Sequence, residues 1–273
     1  MDSDCLLLGG DARQTALAGL LARQGRVHTL AVPELADTAE PRPYGLVVLP
    51  CPALGVTGAL FSSSGAGPDP ACLKDYLGPD TVVLGGALGE LGRRLSGRCA
   101  RVADLLADEI TVTQNAALTA QAAVILTQTH TKSSLFQKPC LILGWGRIAK
   151  ALARLLSGWG ALVTVLARSP AARAEADSWG LAALRPDEKP GPFSFVFNTV
   201  PAQVLTGEAL ESLGPDCLWV ELASRPYGLC PEDRARVRQL FAGNLPGRIL
   251  PVSAAEILYR GICRHLEGGA HGG

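Results

Sequence analysis

The sequence carries no excess charge of either sign, because Lys plus Arg and Asp plus Glu each number 25 among its 273 residues. No run of like charge stands out, so the composition indicates neither a nucleic-acid-binding nor a membrane-binding surface. No apolar run approaches the length of a membrane-spanning helix. The opening residues, MDSDCLLLGG, lack the basic start and longer apolar core of a signal peptide, and we interpret them as a first strand.

Paired metal-ligand motifs are also missing. The eight cysteines are scattered without a CxxC pair, and the four histidines show no HExxH spacing. Several cysteines lie inside apolar runs, which is typical of buried thiols in a reducing cytoplasm rather than of a disulfide framework. We therefore predict a cytoplasmic globular protein with no metal site.

A repeat organises what is there. Residues 5–30 align with residues 140–165 without a gap, and 11 of the 26 aligned positions are identical. Each copy shows an apolar strand, a glycine turn, a helix of Ala and Leu, a glycine stop and a second strand, which is the start of a parallel βαβ unit. Further strand-like runs follow the two copies, at 44–50, 81–86 and 109–114 and at 193–201, 217–224 and 247–251. The pattern predicts an α/β fold with two parallel-sheet Rossmann-like domains joined by hinge helices.

The second glycine turn predicts a dinucleotide site. It reads Gly144-Trp145-Gly146-Arg147-Ile148-Ala149 and matches G-x-G-x-x-G/A, in which the first glycine makes the tight turn and the second lets a pyrophosphate approach the backbone. The phosphates would lie at the helix N-terminus, with Arg147 and Lys150 nearby. The first copy has Asp11 in place of Gly146, so we predict nucleotide binding in the second copy alone. The alternative is a purely structural turn.

The strand after this turn ends in Arg168, where an NAD enzyme would normally carry an acid. A guanidinium binds a phosphate through two hydrogen bonds and stays charged at working pH, so we predict NADP, with its 2′-phosphate against Arg168. Ser169 and Arg173 follow and are expected to contribute. The alternative is a solvated arginine at a strand end.

These elements divide the chain into four parts. We predict an N-terminal Rossmann-like or flavodoxin-like substrate domain (1–114), a hinge helix (115–134), an NADP-binding Rossmann domain (135–252) and a C-terminal helix (253–273). The last helix is expected to pack back on the hinge and to end in a frayed tail.

Seven segments, in order along nearly the whole chain, resemble the A subunit of dipicolinate synthase. They are GGDAR (9–13), VVLPCP (47–52), NAALTAQAA (115–123), LGWGRIAKALA (143–153), FNTVPAQVL (197–205), ELASRPYG (221–228) and LPGRILPVSAAEIL (245–258). The resemblance implies an NADP-dependent oxidoreductase of sporulating bacteria, working in the cytoplasm of the mother cell with a flavoprotein-like B subunit. It would convert 4-hydroxy-tetrahydrodipicolinate, through dihydrodipicolinate, to the aromatic dicarboxylate dipicolinate.

The carboxyl ends of the strands are where such ligands are expected, in the crevice between the two domains. Asn198, Thr199, Val200 and Pro201 follow one strand and are predicted to border the nicotinamide, together with Ala223 after the next strand. Two substrate carboxylates favour arginines, hydroxyls and free N–H groups. The candidates for the substrate site are Arg13, Asn115, Thr119, Ser224, Arg225, Arg248 and Ser253.

The chain departs from the family pattern at five places. That pattern has a proline, a glutamate and a glycine where this sequence has Leu118, Gln121 and Ala122, a glycine at Tyr227 and a lysine at Val252. An acid and a base are thereby lost near the expected cleft. The departures leave open a changed substrate, or NADP binding without turnover, and no acid–base residue is predicted.

Three other interpretations remain. A 2-hydroxyacid dehydrogenase needs a catalytic histidine, but none of the four histidines follows a strand of the second half. A shikimate-dehydrogenase-like enzyme would fit LARSPAAR (166–173), yet Lys74-Asp75 is a poor match to its catalytic pair. A non-catalytic NADP-binding subunit, structural or regulatory, is the third. The sequence leaves the oligomeric state open, including a homo-oligomer.

Overall fold

The computed structural model describes residues 4–268 and divides the chain into two compact units. The first unit contains the residues up to Asn115 and those from Pro246 onward, and the second runs from Ala116 to Leu245. The predicted frayed tail is HLEGGAHGG (265–273); its first four residues are the last turn of the C-terminal helix, and residues 269–273 lie outside the described part. The helices are α1 (Ala12–Leu21), α2 (Gly89–Leu95), α3 (Glu109–Thr131), α4 (Arg147–Gly158), α5 (Pro170–Ser178), α6 (Glu208–Glu211), α7 (Leu245–Ile249) and α8 (Pro251–Gly268).

The first unit is built on a five-stranded parallel sheet in the order β2-β1-β3-β4-β5. Its strands are β1 (Cys5–Leu8), β2 (Val27–Leu30), β3 (Leu46–Val48), β4 (Val82–Gly85) and β5 (Arg101–Asp104). Alternate side chains point to opposite faces. Leu7 therefore packs in the core that holds α1 and α8, whereas Leu6 and Leu8 pack in the core that holds α2.

The second unit carries a six-stranded parallel sheet in the order β11-β10-β9-β6-β7-β8. Its strands are β6 (Pro139–Leu143), β7 (Leu162–Leu166), β8 (Ala182–Leu184), β9 (Phe195–Asn198), β10 (Leu218–Glu221) and β11 (Arg238–Phe241). This is the Rossmann order: strands are added toward one edge from β6 to β8 and toward the other edge from β9 to β11, so the strand order reverses between β6 and β9. The predicted fold class, two parallel-sheet Rossmann-like domains, is confirmed.

Two predicted strands are wrong. Residues 109–114 form the first turns of α3, and residues 247–249 belong to α7. Ile, Thr and Val at 110–113 favour a strand locally, but the carboxylate of Asp108 accepts hydrogen bonds from the N–H groups of Ile110 (3.3 Å) and Thr111 (3.2 Å) and begins a helix instead. The last strand of the sheet is β11, whose half-polar sequence RQLF has no apolar run to reveal it.

Asp108 also joins α3 to α8. Its carboxylate accepts hydrogen bonds from Thr111 Oγ1 at 2.6 Å and from Arg264, and these hydrogen bonds hold its pKa well below the usual value of 3.8. α8 packs mainly along α1. Among the described residues, no helix is both long and apolar enough to cross a membrane.

We expect Asp108→Asn to lower the free energy of unfolding by about 1 kcal/mol near neutral pH, since asparagine can still cap α3 but loses the charge-assisted hydrogen bonds from Thr111 and Arg264. A carboxyl group whose pKa is lowered by folding stabilises the protein above its unfolded pKa, and this contribution disappears as the pH falls through the folded value. The variant should therefore lose less stability than the parent below about pH 4. Urea unfolding at several acidic pH values measures the free energy of unfolding of both proteins. The same decrease of this free energy with pH in both proteins would contradict the prediction.

All eight cysteines are free thiols. Burial raises the thiol pKa to about 12 in the four that are buried, namely Cys5, Cys51, Cys140 and Cys217. Protonated, inaccessible thiols are poor nucleophiles, so these side chains act as small apolar core residues.

Candidate dinucleotide site

The turn after β6 requires glycine at its first position. Gly144 has a φ of +95°, and a Cβ atom there would lie 2.7 Å from Val200 Cγ2 and 2.8 Å from Thr199 Oγ1. The loop after β9 therefore approaches this turn closely, because β6 and β9 are parallel neighbours at the point where the strand order reverses. Thr199 Oγ1 donates a hydrogen bond to the carbonyl oxygen of Leu143 at 2.7 Å, which holds the two loops together.

Gly146 is different, because nothing in the described part of the chain requires glycine there. Its φ of −84° and ψ of −172° are open to any residue, and a Cβ would meet no heavy atom within 4 Å. Gly146 is exposed and immediately precedes α4. As a glycine it has no side chain to cap the first N–H groups of this helix. Open space before the N–H groups of a helix start fits a pyrophosphate that approaches the backbone.

Trp145, between the two glycines, is held from the side. Its Nε1 donates to Glu175 Oε2 at 3.0 Å, and its ring meets the ring of Trp179 edge-on at 5.0 Å between centroids. Glu175 also pairs with Lys150 Nζ at 2.8 Å, and this contact lowers the pKa of the carboxyl group. Lys150 is therefore engaged with Glu175 and orders the turn.

A cavity of about 400 Å³ opens beside the turn, within the second unit. It lies between the turn, the end of β7 and the loop after β9. Its lining includes Gly144, Trp145, Leu166, Ala167, Arg168, Ser169, Ala172, Pro186, Val200, Ala202, Gln203 and Val204. Apolar walls with a cation at the rim suit an adenine ring and a phosphorylated ribose.

The three polar residues predicted after β7, two in the turn and one in α5, make different contacts. Arg168 is exposed at the rim of the cavity. Ser169 Oγ accepts a hydrogen bond from Ala172 N and caps α5. Arg173 Nη1 donates to the carbonyl oxygens of Ala167 (2.8 Å) and Arg168 (2.9 Å), so its guanidinium braces the strand end that carries Arg168.

A buried network shapes the loops after β9 and β10. Asn198 is fully buried, and its Nδ2 donates to Val200 O at 3.0 Å and to Glu221 Oε1 at 2.7 Å. Glu221 is 1% exposed and also accepts hydrogen bonds from Trp219 Nε1, Ala223 N and Gly228 N at 3.0–3.1 Å. The side chain of Asn198, predicted to border the nicotinamide, points into the protein and positions the loop. Pro201 is exposed in that loop.

Sequence reasoning missed Glu221 as a site residue, although it opens the segment ELASRPYG. Its signal was a carboxylate that ends an otherwise apolar strand, LWVE. A buried carboxyl group in such a place needs several hydrogen-bond donors. The cavity residues Ala172, Pro186 and Gln203 were also missed, because one small residue in α5 and two residues in loops carry no periodic pattern.

The corresponding turn of the first unit is filled by its own chain. Gly10 N donates to Phe61 O at 2.5 Å, and a Cβ on Gly9 would lie 2.5 Å from the same oxygen. Asp11 caps α1 by accepting a hydrogen bond from Arg13 N. The loop at 55–70 therefore covers the place where the second unit has open space.

The guanidinium of Arg13, one of the substrate-site candidates, is hydrogen-bonded within the first unit. It is 7% exposed and pairs with Asp11 through Nε (2.9 Å) and Nη2 (2.8 Å), and Nη2 also donates to Cys51 O. Its charge is compensated by Asp11 within the first unit, and the role of Arg13 in substrate binding stays a prediction. Asp11 stands two residues earlier at the same helix start, close enough to take both donors.

The other substrate candidates fall in different elements. Asn115 and Thr119 lie on α3, half-buried and buried respectively, while Arg248 is exposed in α7 and Ser253 half-buried in α8. Ser224 and Arg225 are exposed after β10. No cluster of three or more metal-ligating side chains occurs among residues 4–268.

The departures from the family pattern also have places in the structure. Leu118 and Ala122 are buried on α3, whereas Gln121 is exposed. Tyr227 has a φ of +73°, in the left-handed region that favours glycine, which is the residue the family pattern has there. Val252 is 62% exposed in α8.

Comparison with curated sequences finds a relative that matches part of the chain. The chain is 30% identical over 156 residues to the A subunit of dipicolinate synthase from Bacillus subtilis (strain 168). The match covers 55% of this chain and 52% of the relative, so it spans about half the length of that protein. No family model matches.

Comparison with solved structures covers nearly the whole chain. The dipicolinate synthase A chain from Bacillus subtilis superposes with a TM-score of 0.79 at 23% identity, over 98% of this chain and 97% of the other. The corresponding A subunit from Bacillus halodurans gives 0.81 at 21%, over 96% and 97%. A transhydrogenase from Sinorhizobium meliloti gives 0.67 at 15% identity, over 97% and 93%. The resemblance to the A subunit of dipicolinate synthase that the sequence motifs indicate is confirmed.

Proposed function

We propose that residues 135–252 bind NADP and that the protein is an oxidoreductase of the dipicolinate synthase A type. The observation that carries this proposal is the open space at Gly146 beside a cavity rimmed by Arg168. The pyrophosphate would lie over Gly146 and the N-terminus of α4, with Arg147 in the first turn. The adenosine half would enter the cavity, and its 2′-phosphate would meet Arg168.

We expect Arg168→Ala to weaken NADPH binding by about 1.5 kcal/mol, or roughly tenfold, and to leave NADH binding nearly unchanged. The lower end of the range for charged hydrogen bonds applies because Arg168 is exposed. Calorimetric titration with both cofactors measures the difference. Arg236→Ala is the matched control, since Arg236 is exposed in the same unit and pairs with Glu211. An equal loss for both cofactors would remove the assignment of NADP.

For the reaction we propose oxidation of a cyclic dicarboxylate. Loss of water from 4-hydroxy-tetrahydrodipicolinate leaves dihydrodipicolinate, and removal of a hydride and a proton leaves aromatic dipicolinate. The NADP⁺ supplies a two-electron acceptor for that hydride. The protein contributes orientation of the two rings and exclusion of water. Ser224, Arg225, Arg248 and Ser253 remain the proposed contacts of the carboxylates, and Asn115 and Thr119 the proposed hydrogen-bonding groups.

Proton transfer does not use positions 121 and 252, where the family pattern has a glutamate and a lysine, because Gln121 and Val252 carry no titratable group. We propose that a flavoprotein-like partner of the B type completes the catalyst, since the curated relative is itself named as one subunit of a synthase. The setting proposed is the cytoplasm of the mother cell of a sporulating bacterium.

The test is a coupled assay of the purified protein with NADP⁺ and freshly generated 4-hydroxy-tetrahydrodipicolinate, with and without the B-type partner. We expect equal amounts of NADPH and dipicolinate, both followed by absorbance, and a higher rate with the partner. If NADPH binds but no dipicolinate forms in either arm, a non-catalytic NADP-binding role replaces the proposal.

A further inference from the structure

A cleft on the first unit is not used by the proposed function. It lies between the 3₁₀ helix Pro70–Asp75 and α2 and has a volume of about 470 Å³. Its lining includes three leucines from these two helices, Leu73, Leu91 and Leu95, which are only 1–6% exposed. Leu77, half-buried, extends the apolar wall.

Three cations stand around these leucines. Lys74, Arg94 and Arg98 all line the cleft, and none of the described residues that line it carries a carboxylate. Within residues 4–268, none of the three is ion-paired, whereas the adjacent Arg93 pairs with Glu90. The sequence has equal numbers of acids and bases, so three uncompensated cations at one apolar recess are a local concentration of positive charge.

The surroundings keep that charge positive. An adjoining cavity of about 430 Å³ shares Arg94 and contains the carboxylate of Asp69. Asp69 Oδ1 already accepts a hydrogen bond from Ala71 N at 2.7 Å, where it caps the 3₁₀ helix. The described lining of the two cavities therefore contains three cations and one carboxylate, which the backbone already engages.

Apolar walls with a few charged groups at the rim are typical of sites for small organic ligands. The leucines favour an aliphatic chain, and lysine and arginine favour a phosphate or carboxylate. We propose that this cleft binds a small amphiphilic anion, with an alkyl chain against Leu73, Leu91 and Leu95 and an anionic group held by Lys74, Arg94 and Arg98.

The ligand chemistry is tested by isothermal titration of the full chain with octyl phosphate below its micelle concentration. Octyl glucoside supplies the same chain without charge, and inorganic phosphate supplies the charge without the chain. We expect octyl phosphate to bind at least about tenfold more tightly than either, and its affinity to fall with added salt because the cations are exposed. Equal binding of octyl phosphate and octyl glucoside, or of octyl phosphate and inorganic phosphate, would overturn the proposal.

The location is tested with a matched pair of variants on α2. Arg94→Gln should weaken octyl phosphate binding about tenfold, whereas Arg93→Gln, which removes the same charge one residue away, should not change it. Both residues are exposed, so the fold is preserved and NADPH binding should be equal in the two variants. Equal weakening by both variants would mean that net charge rather than the cleft binds the anion, and would reject the site.

Discussion

Gly146→Asp is expected to reduce NADPH affinity at least about 100-fold without lowering the melting temperature. Gly146 is the residue before α4, and its extended backbone conformation suits a side-chain cap. Aspartate is among the best capping residues, so the helix should be stabilised by a few tenths of a kcal/mol. The same carboxylate would stand where the pyrophosphate is proposed to lie. A charge repulsion at about 4 Å costs several kcal/mol near a protein surface.

The chain contains its own precedent for this substitution. Asp11 occupies the corresponding position of the first unit and caps α1 there. Gly146→Asn is the matched control, because asparagine has the same size and capping ability but no charge. We expect its loss of NADPH affinity to be smaller than that of the aspartate variant, and the difference between the two to shrink at high salt.

Gly144→Ala distinguishes the role of Gly144 from that of Gly146. A Cβ there is strained by the positive φ and lies within 3 Å of Thr199 and Val200, so this variant should lose stability as well as binding. Thermal unfolding measures the stability of Gly146→Asp, Gly146→Asn and Gly144→Ala, and calorimetric titration measures their affinity for NADPH. If Gly146→Asp bound NADPH like the parent, the proposed cofactor site would have to be abandoned.

The fold was predictable because each βαβ start is marked by local chemistry. Cys5–Leu8 and Cys140–Leu143 are apolar strands followed by glycine, and parallel strands buried on both faces need such runs. The carboxyl ends of neighbouring parallel strands meet at one edge, which is why Gly144, Arg168 and Val200 line one cavity. The start of α3 was not predictable by composition, since a single capping carboxylate, Asp108, outweighed the strand preference of the residues that follow it.

The buried polar contacts were beyond sequence reasoning. Arg13 and Asn198 are both plausible ligand-binding residues by type, and both are engaged by carboxylates of the protein itself. Which donor meets which carboxylate depends on side-chain directions at strand and helix ends, and sequence spacing does not specify these.

Glu221→Ala is expected to lower the free energy of unfolding by about 3–5 kcal/mol, because it leaves several buried neutral donors unsatisfied. The substitution leaves four donors without their acceptor: Asn198 Nδ2, Trp219 Nε1, Ala223 N and Gly228 N. A Cβ on Gly228 would lie 2.3 Å from Asn198 Nδ2, so the loops are too closely packed to rearrange without cost. An unsatisfied buried donor costs about 1–3 kcal/mol, and partial access of water explains why four do not add fully.

Glu221→Gln keeps one acceptor oxygen and the volume of the side chain, so its loss should be about half as large. Glu211→Ala, exposed in the same unit, should stay within about 0.5 kcal/mol of the parent. Urea unfolding followed by tryptophan fluorescence measures this loss of stability, because Trp219 is itself one of the donors.

The network also ties the loop after β9 to the loop after β10, so Glu221→Gln should weaken NADPH binding through Val200 even where the unit stays folded. A variant that kept full stability but lost NADPH binding would instead mean that Glu221 contacts the cofactor directly.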